Sequence, residues 1–110
     1  MNIKITSRHF KANDTLKARA ITSVENLEKY FDGIIKAEVI FSFDKTRDSD
    51  KTAEIVLKLH AHVLRSAETS DDFVKSLEVA LKKMEKQLLH AKSKFREKNK
   101  KILRKVKLQE

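Results

Sequence analysis

Gly33 is the one glycine in a chain of 110 residues that has no proline and no cysteine. Loops that cradle phosphates do so on the backbone amides of several glycines, so a nucleotide-binding enzyme is disfavoured from the outset. The lack of cysteine removes disulfides, thiolate chemistry and Cys-based zinc or iron–sulfur sites, and it is consistent with a reducing cytosol. With 40% apolar residues the chain can form a globular core despite its 37% charged content. Its length fits a single small domain.

Hydrophobic periodicity then outlines the fold. Ile3 and Ile5 alternate with Lys4 and Thr6, which predicts a half-buried strand over 2–8. Asn13 is placed to cap a helix whose apolar residues Leu16, Ala20, Val24, Leu27 and Phe31 recur at three- and four-residue spacing. Gly33 stands just past its end, where a left-handed C-cap favours glycine. A second strand is predicted through Ile35, Ala37, Val39, Phe41 and Phe43, followed by a polar turn over 44–50. Ile55, Leu57 and Leu59 mark the inward face of a third strand, and Val63 to Glu68 a fourth, with a tight reversal near His60-Ala61. Ser70 or Asp71 is positioned to cap a long last helix with the stripe Phe73, Leu77, Ala80, Leu81, Met84, Leu88, Ala91 and Phe95. The order β-α-β-β-β-α predicts an α+β fold: a four-stranded mixed sheet with both helices packed on one face. The first two strands are expected to be parallel and the rest antiparallel.

Charge is distributed unevenly over this frame. Residues 92–107 carry nine Lys/Arg and one acid, Glu97, in a chain whose net charge is +9. Residues 1–91 are nearly neutral by contrast, and a folded body over 1–95 is expected to be followed by a basic extension over 96–110. Such a segment repels itself in water and suits a polyanion, for which nucleic-acid phosphate is the commonest candidate; a solubilising tail is the plainer alternative. On a helical wheel the last helix sorts its charges: Glu78 and Glu85 flank the buried side on one hand, Lys83, Lys86, His90 and Lys94 on the other, with Lys75 and Lys82 at the back. Two helices lying side by side would add Arg19, Lys29 and Tyr30 of the first helix to a common RNA-facing surface. The RNA-binding set expected is therefore Arg19, Lys29, Lys82, Lys83, Lys86, His90, Lys92, Lys94, Arg96 and Lys98.

Other chemistry is poorly served. His60 and His62 have no evident third partner for a metal, and Asp44, Asp48 and Asp50 lack the glycine and closing glutamate of a calcium loop. No catalytic constellation, metal site, cofactor or small-molecule substrate is expected. The first ten residues hold no apolar run of signal-peptide length, and no stretch approaches a membrane span, so a cytoplasmic chain is anticipated. Two other partners remain in view: free double-stranded RNA, and anionic lipid contacted by Ile102, Leu103, Val106 and Leu108.

Three segments in register also resemble a known family. They are Leu27-Glu28-Lys29-Tyr30-Phe31-Asp32, Ser66-Ala67-Glu68 followed by Asp72, and Lys83-Met84-Glu85-Lys86-Gln87-Leu88. Together with the element order, they are similar to the ribosome hibernation promoting factors, also called ribosomal subunit interface or ribosome-associated inhibitor proteins. The resemblance covers about residues 1–95 and implies a short form without a second domain, not an enzyme, and a monomer off the ribosome. It further implies a partner, the small ribosomal subunit and its ribosomal RNA, with the mRNA channel and tRNA sites occupied under stress or in stationary phase. By position, Arg19, Lys29, Lys82, Lys83, Lys86, Lys92 and Lys94 would face that RNA. Phe73-Val74 stands where the family often has Met-Tyr.

Overall fold

The computed structural model describes the backbone of residues 1–45 and 50–109 and the side chains of residues 1–45 and 50–92. The elements are β1 (Asn2–Arg8), α1 (Asp14–Asn26) with a 3-10 turn (Leu27–Lys29), β2 (Lys36–Asp44), β3 (Asp50–Lys58), β4 (Val63–Ser70) and α2 (Phe73–Gln109). The sheet order is β1-β2-β3-β4, with β1 parallel to β2 and the other pairs antiparallel. This is the mixed α+β sheet that the periodicity predicts. Positions 46–49 of the polar turn, Asp48 among them, lie outside the described residues.

Strand parity decides where the core sits. Ile5, Val39, Ile55 and Ser66 align across the sheet, and their neighbours of like parity, Ala37, Phe41, Ala53 and Leu57, are fully buried. Against them pack Leu16, Ala20 and Val24 of α1 and Leu77, Ala80, Met84 and Leu88 of α2. Both apolar stripes therefore meet one face of the sheet. Each buried Leu or Phe contributes about 1.5–3 kcal/mol, which outweighs any exposed polar contact.

Polar side chains fix the helix–sheet register. The Ser66 hydroxyl donates to the Ala80 carbonyl at 2.8 Å, tying β4 to α2. Ser76, fully buried on α2, donates to the Lys51 carbonyl at 2.7 Å and meets the Ser70 hydroxyl at 2.6 Å. A hydroxyl so placed is satisfied at both lone pair and proton, which is the condition for burying it. At the same end Phe73 stacks on Phe10 with centroids 4.5 Å apart and meets Phe41 edge-on at 5.6 Å. Phe10 enters this cluster from the β1–α1 connection, where His9 turns the chain at a φ of 69°.

Three local expectations need correction. Gly33 does not take a positive φ; α1 closes by tightening into the 3-10 turn, with Tyr30 N–H bonded to the Leu27 carbonyl at 3.0 Å, so no left-handed cap is required. A Cβ at Gly33 would lie 2.6 Å from Cε1 of Phe31, so a larger residue there requires that ring to shift. The cap of α2 is Asp72 rather than Ser70 or Asp71, its Oδ1 accepting from Val74 N–H at 3.0 Å. The β3–β4 reversal spans residues 59–62, closed by Leu59 N–H to the His62 carbonyl at 2.8 Å. Its four residues avoid the positive φ that a two-residue hairpin demands, which is how His60-Ala61 is accommodated.

Candidate nucleic-acid interface

The outward crest of α2 carries the exposed cations Lys75, Lys82 and Lys86. They lie opposite Met84, whose side chain is fully buried, because positions two residues to either side project away from the core at helical pitch. No carboxylate pairs with Lys82 or Lys86 among the described residues. His90 is exposed and Lys92 half-buried further along the helix. The backbone of α2 stays helical through Lys94, Arg96 and Lys98, whose side chains lie outside those described.

Two cations of the expected set are engaged within the fold. Arg19 Nη2 meets Glu78 Oε1 at 3.1 Å, bridging the helices. Lys83 Nζ lies 2.9 Å from Glu68 Oε2 and donates to the Ala67 carbonyl at 3.1 Å. Its hydrogen bond, aided by the Thr69 amide and by the ammonium charge, holds the Glu68 carboxyl below its ordinary range. The stabilisation from this pair is present above the ordinary carboxylate range and is lost as acid protonates Glu68.

These contacts also orient α2. Its Glu78 flank faces α1 and its Lys83 flank lies over the edge of β4, where Gln87 Nε2 donates to the Arg65 carbonyl at 2.7 Å. Lys83 and Gln87 thereby occupy two carbonyls of an edge strand, which blocks pairing with another chain. Arg19 and the Lys83–Lys86–His90 flank consequently sit on opposite sides of α2, not in one row between the helices. Lys29 is exposed at the end of the 3-10 turn. Tyr30 is half-buried and packs against the core as a cover for the helix edge.

Little else in the fold suggests chemistry. Among the described residues no three His, Asp or Glu side chains come together as a metal-binding group. No helix among them is long and apolar enough to cross a membrane. What remains is a cationic crest on a helix that runs on into the most basic segment of the sequence.

A family model for "Sigma 54 modulation protein / S30EA ribosomal protein" matches residues 3–96. The chain belongs to this family. It is 26% identical over 98 residues to the ribosome hibernation promotion factor of Bacillus subtilis (strain 168), an alignment covering 89% of this chain and 52% of that protein. This S30EA chain thus spans about half the length of the curated relative it matches. Among solved structures it resembles the Thermus thermophilus Protein Y N-terminal domain at a TM-score of 0.72 and 25% identity, covering 82% of this chain and 98% of that one. A ribosomal subunit interface protein from Coxiella burnetii shares the fold at a TM-score of 0.76 and 22% identity, over 84% and 99% of the two chains.

Proposed function

We propose that this S30EA-family chain binds the small ribosomal subunit through phosphates of its ribosomal RNA, filling the mRNA channel and the sites that take tRNA. Residues 1–95 form the body that is bound, and residues 96–110 extend the cationic surface along the RNA. The chain acts as a monomer in the cytoplasm and makes or breaks no covalent bond: translation stops because the space is taken. The observation that carries this reading is the pair Lys82 and Lys86, exposed on the α2 crest without acidic partners among the described residues, on a helix that continues into nine basic residues. The names of the relatives, a hibernation factor and a subunit interface protein, support the same partner.

Binding of this kind is driven by release of counterions from phosphates. If about six phosphates are neutralised, the logarithm of the association constant falls with the logarithm of salt concentration at a slope near −5. Co-sedimentation of the chain with ribosomes from about 50 to 500 mM salt measures that slope. A flat response across this range excludes a phosphate-driven interface.

A further inference from the structure

Helices cover one face of the sheet, and one end of the opposite face is cationic, away from the row that carries Glu54. One row across it reads Asn2, Lys36, Lys58 and Val63, and the next reads Lys4, Glu38, Val56 and Arg65. Two adjacent rows thus hold four cations and a single acid. That acid is already engaged, since Thr6 Oγ1 donates to Glu38 Oε2 at 3.0 Å and Lys4 Nζ lies 3.8 Å from the same oxygen. Lys36 and Lys58 oppose each other directly across the β2–β3 pair; both are exposed, and neither has a carboxylate partner among the described residues. Like charges set directly opposite destabilise a sheet, so this pair works against the fold that carries it. Arg65 is exposed on the edge strand, at the point where Gln87 of α2 reaches over to its carbonyl. The cations therefore run from the Lys86 flank of α2, around the β4 edge and onto the uncovered face.

We infer that this uncovered face is a second RNA-binding surface, centred on Lys36 and Lys58 with Lys4 and Arg65 at its ends, so that RNA contacts the chain on both sides of its sheet. The inference rests on the RNA-binding reading above and adds a surface to it. Neighbouring strands lie about 4.8 Å apart, so the cations cross the sheet over roughly 15 Å. One strand of a duplex carries about four phosphates over that length. A protein partner is a poorer match, because protein interfaces are enriched in aromatic residues and depleted in lysine. These two rows hold three lysines and no aromatic ring.

The substitution K58E tests this with two readouts of opposite sign. It places a carboxylate opposite Lys36, so the melting temperature holds or rises. Affinity for ribosomes falls about 10-fold or more near 0.1 M salt, and the salt slope becomes shallower by about 1. K11E removes the same charge from the exposed β1–α1 connection and leaves the slope of the wild-type chain. The inference is overturned if K58E and K11E bind alike with that slope. It is equally overturned if K58E weakens binding to ribosomes but not to protein-free ribosomal RNA, since the face would then meet a ribosomal protein. Failure of the wild-type chain to sediment with ribosomes sinks the parent reading as well, whereas an unchanged K58E slope alongside wild-type binding sinks only this one.

Discussion

Replacing Lys82 and Lys86 together with glutamate is expected to lower affinity for ribosomes by at least about 100-fold at 0.1 M salt. Each phosphate contact releases close to one counterion, which near that concentration is worth about 10-fold, and reversal adds repulsion to the loss of two contacts. Both side chains are exposed and unpaired among the described residues, so the melting temperature should hardly move. Lys83 makes the instructive contrast. Its ammonium is held by Glu68 and the Ala67 carbonyl, so reversing it sets two carboxylates together and frees the β4 edge. K83E should therefore lower the melting temperature, and any loss of binding has to be corrected for unfolding. Equilibrium sedimentation with ribosomes, paired with thermal melts, separates the two effects. Binding by K82E/K86E within a factor of about three of wild type would remove the α2 crest from the interface.

The largest effect on stability is expected at Phe41. Its side chain is fully buried at the centre of β2 and meets the Phe73 ring edge-on, so it joins the sheet to the first turn of α2. Truncation to alanine removes the ring from the core and leaves a cavity that the sheet cannot close, at about 3–5 kcal/mol. Small domains have only about 5–15 kcal/mol in hand, so F41A should lower the melting midpoint by about 20 °C or abolish cooperative unfolding. Phe43, two residues along and only partly buried, should lose about 1 kcal/mol under the same change. Equal losses at the two positions would contradict the placing of Phe41 at the buried centre of that face and Phe43 towards its open end.

Much of this fold was legible in the residue pattern because each element has one apolar side. Ile55 and Leu57 at two-residue spacing, and Leu77, Met84 and Leu88 at helical spacing, point inward for the reason the pattern implies. Their order along the chain then leaves few ways to bury both helices on one sheet. The errors share a cause. Gly33, Asp72 and the 59–62 reversal depend on the hydrogen bonds at one turn, which composition does not determine. The charge pairs depend on distant partners: Arg19 and Glu78 are 59 positions apart. A helical wheel showed that α2 segregates its charges but not which flank faces α1. Only the packed fold reveals that the acidic flank does, and that Lys83 serves the β4 edge. The Lys36–Lys58 opposition was likewise hidden, because it follows from the cross-strand register rather than from either strand alone.

Everything proposed for this chain comes down to occupancy: side-chain cations hold the body against RNA in the cleft where message and tRNA must enter. The most direct measurement saturates purified small subunits with the full chain and then titrates in labelled initiator tRNA and mRNA. Binding of both should fall in proportion to the fraction of subunits occupied, and added salt that releases the chain should restore it. Normal uptake of tRNA and message by fully occupied subunits would contradict the steric mechanism, whatever the affinity of the chain for the ribosome.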